Sequence, residues 1–436
     1  MSHAFIESRR EDPRQWSEGR RGNGMDINEV FVLGAGFMGA GIGQVASLAG
    51  YRVTLADTRE DRLEEGMHSI GDSLQRMVRS GKVEEPDADK ALSEIKTTTD
   101  IHAAQTADIA VEAVPEDAEL KRKIFAELDD ICLPHAILAT NTSAIPVSLI
   151  AAATTRPENV VATHFFGPVP VMRLCELAGG LLTSEDTVAK AEAWARSLGK
   201  ETIRVRGDIA GFIANRVTIP SSLEAVRMVD EGVATAVEID QALAAVGVKV
   251  GPMRIMDNAG IDVTFSAAKA IFDDTGDEMF FPPPLMRRMV SAGLLGRKSG
   301  RGFYDYYSGE PVAWDTTTPP RFLDSMREPE PGEARAQALF NRFYLPTIIE
   351  SVRMLEAGRA SPDDIDTAVR LGFNFPLGPL QTADLMGIDK VLEAACALEK
   401  ETASRRFGPP TMLKTMVTSG RLGRICGKGF YDYPES

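Results

Sequence analysis

Histidine is scarce in this chain, five in 436 residues. Cysteine is scarcer still. The four (Cys132, Cys175, Cys396, Cys426) are scattered with no Cys-x-x-Cys pair. That pattern argues against metal ligands or disulfides and predicts buried, reduced thiols in a cytosolic protein. No run of eighteen apolar residues occurs, so no membrane-spanning helix is expected. Positive charge is not in excess: 48 Lys and Arg stand against 63 Asp and Glu, a net charge of −15. Nonspecific binding to nucleic acid or to an anionic membrane is therefore not expected. Residues 1–25 are polar and Arg-rich and lack the apolar core of a secretory signal. They read as a disordered arm, with Met25 as an alternative start just ahead of the first strand. A cytoplasmic location is expected.

What is present is enough apolar sequence for packed cores (44%) and a length that suits two to four domains. From Glu29 to about Arg206, short β-branched runs alternate with helical stretches. "EVFVLGAG", "YRVTLAD", "DIAVEAV", "AILATNTS", "NVVATHFF", "RLCELAG" and "ETIRVR" read as strands. Nearly continuous apolar strands separated by helices imply a buried parallel sheet of the doubly wound class. After Gly207 strand signals fade, helical patterns dominate and the sequence repeats itself. "EAVRMVDEG" at 224 returns as "ESVRMLEAG" at 350, and Asn215-Arg216 as Asn341-Arg342, both 126 residues on. "GRKSGRGFYDY" at 296 returns as "GRICGKGFYDY" at 423, 127 residues on. The expected organisation is an arm (1–25), a Rossmann-type α/β domain (26–207), a first all-α domain (208–308), a Pro-rich linker (309–335) and a homologous second all-α domain (336–436).

Gly34-x-Gly36-x-x-Gly39 joins the first strand to the first helix. In this motif the first glycine makes the turn, the second admits a pyrophosphate, and the third lets helix and strand pack closely. The helix N-terminus then meets the phosphates. Phe37 and Met38, inside the same turn, are assigned to the cofactor with the glycines. The next strand ends in Asp57, whose carboxylate suits a ribose 2′-hydroxyl and repels a 2′-phosphate, so NAD is favoured over NADP. Arg59, two residues on, leaves some tolerance of NADP open.

Ligands of a doubly wound sheet bind beyond the carboxyl ends of its strands. Asn141, Ser143 and His164 lie at such ends, and Glu176 follows His164 after a turn stiffened by Pro168 and Pro170. Oxidation of an alcohol by hydride transfer needs a base for the hydroxyl proton, and imidazole titrates near neutrality. A carboxylate on its second nitrogen fixes the tautomer. Ser143 and Asn141 can bond a developing carbonyl oxygen. His3, His68, His102 and His135 sit in the arm, a polar helix, a helix start and a turn, where a solvated role is the simpler reading.

With these residues placed, the chain resembles the L-3-hydroxyacyl-CoA dehydrogenase family. The resemblance is carried by "GAGFMGAGI", "VEAVPEDAELKRKIF", "ATNTSAIPVSLIA", "HFFGPVPVMRLCEL", "DIAGFIANRV" and "GRKSGRGFYDY". It implies a Rossmann domain followed by a helical domain, NAD as cofactor, and an acyl-CoA substrate. It makes His164 the general base, Glu176 its partner, and Ser143 and Asn215 the contacts of the substrate oxygen. Glu116, Lys121 and Lys298, with Asn141, fall at positions near the NAD. The implied activity is reversible oxidation of (S)-3-hydroxyacyl-CoA in fatty-acid or related metabolism such as β-oxidation. Separate hydratase and thiolase proteins would then flank it. A dehydrogenase of a free 3-hydroxy acid (gulonate- or carnitine-type) and a non-catalytic nucleotide-binding scaffold are the alternatives. Single-copy members dimerise through the helical domain, so the expected states are a homodimer or a pseudo-dimeric monomer in which copy two packs on copy one. Copy two has Ile425 where copy one has Lys298, and lacks the Asp-x-x-Gly-Phe that leads into Asn215. Two features depart from the family. Gly167 stands where Asn is usual, near nicotinamide and substrate. The helix of residues 61–79 offers Arg62, Arg76 and Arg79 but no lysine for the CoA phosphate.

Overall fold

The computed structural model describes residues 27–307, 312–313 and 332–434. The arm expected over 1–25 and the greater part of the linker expected over 309–335 lie outside them. Two units divide the chain, Met1–Asp208 and Ile209–Ser436.

The first unit is built on one eight-stranded sheet. Its strands are β1 (Glu29–Leu33), β2 (Arg52–Ala56), β3 (Ile95–Thr98), β4 (Ile109–Glu112), β5 (Ile137–Thr140), β6 (Val160–Phe165), β7 (Leu174–Gly179) and β8 (Glu201–Val205). They are ordered β3-β2-β1-β4-β5-β6-β7-β8. The central strands β4, β5 and β6 are buried throughout, as expected where helices cover both faces. Those helices are α1 (Phe37–Leu48), α2 (Glu60–Arg79), α3 (Glu85–Glu94), α4 (Ala118–Ile131), α5 (Val147–Ala151) and α6 (Glu185–Ser197). Trp194 of α6 is fully buried and meets Phe165 edge-on, centroids 5.9 Å apart.

The expected parallel sheet holds from β3 through β6. The pair β6–β7 is antiparallel, and β8 runs parallel to β7. The cause is the connection. A parallel crossover needs a dozen or more residues, and the segment from Phe166 to Arg173 is too short to make one. Strand β3 was not expected. Only Ile95 of its four residues is buried, the others being partly or fully exposed, so it carries little apolar signal at the sheet edge.

The second unit is mostly helical. Copy one comprises α7 (Ala214–Asp230), α8 (Ala236–Ala245), α9 (Pro252–Ala259), α10 (Ile261–Thr275) and α11 (Pro284–Ser291). Copy two comprises α12 (Gly332–Glu356), α13 (Pro362–Phe373), α14 (Pro379–Met386), α15 (Ile388–Thr402) and α16 (Thr411–Thr418). The repeated sequence builds repeated local devices. A capping box opens α8 (Thr235 with Glu238) and α13 (Ser361 with Asp364). Asp240 accepts from the N–H groups of Met253 and Arg254 and from the Tyr304 hydroxyl. Asp366 does the same with Leu380, Gln381 and Tyr431. Asp257 and Asp384 each accept two N–H groups and a tyrosine hydroxyl from their own copy of Gly-Phe-Tyr-Asp-Tyr. The repeated motif is thus a closing strap, anchored by buried carboxylates. Burial pushes Asp257 and Asp366 up to about 6.

The copies meet through α7 and α12 as an internal two-fold. Ser221 and Thr347, equivalent positions, share a hydrogen bond of 2.6 Å. Arg216 bonds Glu350 at 2.7 Å, and its equivalent Arg342 bonds Glu224, the equivalent of Glu350, at 2.8 Å. Reciprocal pairs of this kind define an isologous interface, here closed within one chain.

Two of the four thiols depart from the expected burial. Cys132 and Cys175 are buried, whereas Cys396 and Cys426 are exposed. Cys426 replaces Ser299 of copy one and sits among the equivalent backbone groups, those of Leu422, Gly423 and Lys428.

Candidate active site

The glycine turn is formed by contacts that only glycine permits. Gly34 has φ +105°, and a β-carbon there would lie 2.6 Å from the Ala113 carbonyl oxygen. A β-carbon on Gly39 would lie 1.7 Å from the Gly34 oxygen, so helix and turn are in backbone contact. A β-carbon on Gly36 would meet nothing within 4 Å. That open backbone at the start of α1 fits a pyrophosphate. Asp57, just past β2, accepts from the N–H of Ala35 at 2.9 Å and so ties the turn to the neighbouring strand end. The Arg59 guanidinium is paired with Asp61, so its charge is engaged by a carboxylate.

His164 and Glu176 stand opposite each other in the antiparallel register of β6 and β7. Nδ1 of His164 lies 2.9 Å from Oε2 of Glu176. The histidine is 6% exposed and the glutamate 0%. Reversal of β7 is what makes this pair, because it turns the chain back directly across from His164. A carboxylate on Nδ1 fixes the tautomer and orientation of the ring. The Phe166 ring packs against the imidazole, centroids 4.4 Å apart. The histidines set aside are all exposed and near surface carboxylates: His68 with Asp72, His102 with Asp100, His135 with Asp108. His3 lies outside the described residues.

Ser143 belongs to a carboxylate network that sequence reasoning saw only in part. Glu116 accepts from the Thr142 hydroxyl at 2.5 Å and from the Ser143 N–H at 2.9 Å. Lys121 is buried between Glu112, at 2.5 Å, and Glu116, at 3.3 Å. Burial pushes the Glu116 carboxyl up, but Lys121 and the hydrogen bonds from Thr142 and Ser143 outweigh it and hold the group below its ordinary value. Lys121 therefore works through two carboxylates that shape the Ser143 loop. Glu112, which also accepts from the Thr140 hydroxyl at 2.7 Å, was not singled out. A Glu on an apolar strand, nine residues before a Lys, was the available signal. Asn141 uses its Oδ1 to accept from the Phe165 N–H at 2.9 Å and so links the ends of β5 and β6 beside His164.

In the second unit, Asn215 lies in the first turn of α7. Lys298 is paired with Asp262 at 2.6 Å, and its equivalent Ile425 is 84% exposed. Asn341 accepts from Gln337 at 2.7 Å. Asp208, at the end of the first unit, accepts from the N–H groups of Val147 and Ser148, both at 2.7 Å. Asp208 thus serves the start of α5 in the first unit, which accounts for the absence of an equivalent Asp before copy two. Among the described residues no group of three or more His, Cys, Asp or Glu could hold a metal ion, and no helix is long and apolar enough to cross a membrane.

Comparison with known proteins agrees with this geometry. Residues 29–209 match the model of the 3-hydroxyacyl-CoA dehydrogenase NAD binding domain. Residues 211–306 and 339–433 each match the C-terminal domain of the same family. The 3-hydroxybutyryl-CoA dehydrogenase of Mycobacterium tuberculosis is 43% identical over 64% of this chain and 99% of its own. The 3-hydroxyadipyl-CoA dehydrogenase of Escherichia coli is 31% identical over 89% of this chain and 97% of its own. A crystal structure of 3-hydroxybutyryl-CoA dehydrogenase from Escherichia coli K12 superposes with TM-score 0.78 at 30% identity, covering 91% of this chain and 100% of that one. A glycine turn open at Gly36, a sheet that pairs His164 with Glu176, and two matches to one C-terminal domain place this chain in the 3-hydroxyacyl-CoA dehydrogenase family, as an NAD-dependent dehydrogenase.

Proposed function

We propose that this enzyme oxidises (S)-3-hydroxyacyl-CoA to 3-oxoacyl-CoA, with His164 as the general base. The observation that carries the assignment is the buried 2.9 Å pairing of His164 Nδ1 with Glu176. Glu176 fixes the ring orientation and stabilises the imidazolium once Nε2 has taken the hydroxyl proton. Ser143 and Asn215 bond the substrate oxygen, where negative charge builds as the proton leaves. Glu116, held by Lys121, keeps the Ser143 loop in place. Gly34, Gly36, Phe37, Met38 and Gly39 receive the dinucleotide, with Asp57 at the adenosine ribose and Asn141 and Lys298 near the cofactor. Bound NAD supplies the hydride acceptor. In the reverse direction the His164 imidazolium returns the proton. Within the second unit, copy two stands in for a partner subunit's helical domain. Substrate and product are those of a separate hydratase and a separate thiolase.

The test is oxidation of NADH with acetoacetyl-CoA, with acetoacetate, and with neither. Turnover confined to acetoacetyl-CoA is expected, and activity with the free acid alone would overturn the thioester assignment. His164→Gln is expected to lower turnover by about 10²- to 10⁴-fold with NAD affinity nearly unchanged. Loss of NAD binding in that variant would contradict the role of base.

A further inference from the structure

The glycine turn and the strand end that carries His164 are in contact at Gly167. A β-carbon on Gly167 would lie 2.4 Å from Cε1 and 3.1 Å from Cζ of Phe37, and 3.2 Å from Sδ of Met38. Carbon atoms in contact settle about 3.5–4.0 Å apart. No side chain therefore fits at 167 while the Phe37 ring keeps its place. A second contact fixes the same two elements: a β-carbon on Gly41 of α1 would lie 2.9 Å from Cβ of Val169. Helix α1 and the turn after β6 are thus docked closely at two glycines, and the ring of Phe37 fills the outer end of that seam. It is nevertheless 67% exposed. What marks this ring is its place, at the junction of the glycine turn and the strand end that carries His164.

The chemistry says which part of which ligand. The pyrophosphate meets the start of α1, and the hydride acceptor must reach the carbon whose hydroxyl meets His164. The nicotinamide half of the dinucleotide therefore spans from the first element to the second, along the seam that Phe37 occupies. We propose that the Phe37 ring, seated on Gly167, is the wall against which the nicotinamide half of NAD is placed, so that residues 37 and 167 act as one unit. This rests on His164 as the proton-exchanging group. Each half needs the other, because a side chain at 167 would displace the ring.

The test is direct titration of the full-length protein with NAD and with ADP-ribose, which lacks nicotinamide. Phe37→Ala, Gly167→Asn and the double variant are compared, each also in a His164→Gln background. Phe37→Ala is expected to weaken NAD about tenfold and to leave ADP-ribose within about twofold, since an exposed side chain supports no core. Gly167→Asn should displace the ring and weaken NAD to a similar degree. In the Phe37→Ala background the same Asn should cost little more or restore affinity. Equal losses for NAD and ADP-ribose, or single effects that simply add, would overturn the proposal. The same pattern should hold in the His164→Gln background, so a failure of the base assignment and a failure of the wall give different results.

Discussion

Lys200 shows how a buried charge supports the site without touching it. The residue is 7% exposed, and its ammonium donates to the carbonyls of Val169 and Met172, in the turn that reverses the chain between His164 and Glu176. Burial lowers it to about 8 from an ordinary 10.5. The folded state therefore binds fewer protons than the unfolded chain between those values, and this residue's contribution to stability rises with pH across that window. Measured as urea unfolding of wild type minus Lys200→Met, the difference should shift in favour of wild type by on the order of 2 kcal/mol between pH 7 and pH 9.5. A pH-independent difference would contradict the burial of a charged amine. Glu176→Gln tests the pair above it. Losing the negative charge on Nδ1 should cut turnover about 10²-fold while NAD titrations stay unchanged. His164 was legible because histidine is scarce and this one stands at a strand end, the glycine turn because its spacing joins a strand to a helix, and Glu176 because it follows His164 across a proline-stiffened turn. Lys200 was not, because its partners are carbonyl oxygens, which leave no trace in a sequence.

At the scale of elements, strand and helix identities followed from periodicity, but strand direction did not. Direction depended on a length, the short span from Phe166 to Arg173, and on the proline-rich turn within it. The edge strand β3 escaped notice for a related reason: with one of four residues buried, it has no apolar pattern to read. Asp208 escaped because the helix it caps, α5, lies sixty residues earlier in the chain. Replacing Asp208 by Ala leaves two N–H groups of α5 without their acceptor and should cost about 2 kcal/mol in urea unfolding. Because α5 follows the Ser143 loop, KM for the acyl substrate should rise more than kcat falls. An unchanged KM would separate the cap from the loop.

At the scale of the whole molecule, the repeat read from the sequence became a two-fold interface inside the second unit, but its symmetry is incomplete. Glu224 is surrounded by Arg342, Arg406 and Arg227. Its equivalent Glu350 has Arg216 and, at 3.7 Å, Arg353, and burial leaves its carboxyl raised. The third cation is missing because the position equivalent to Arg406 is Met279. Removing Arg216 should therefore hurt more than removing Arg342, although the two are equivalent in sequence. Arg216→Met is expected to cost about 3–5 kcal/mol and Arg342→Met about half of that, by urea unfolding. Asn341 tests the division of labour between copies. Asn341→Glu should keep turnover within about twofold, whereas Asn215→Glu should abolish it. Loss of activity in a folded Asn341→Glu protein would show that copy two takes part in the chemistry.

The hydrogen bond between Ser221 and Thr347 on the internal axis has a consequence for how this interface can change. In a dimer of identical chains the two residues on the axis are encoded by one codon and must be the same. Here they are encoded separately and already differ. A substitution alters one side of the contact, and a favourable partner can be selected for the other. The contact is also indifferent to dilution. Two separate subunits part when their concentration falls below the dissociation constant, whereas a tether fixes the effective concentration. Turnover per mole of enzyme should stay constant on dilution to nanomolar protein.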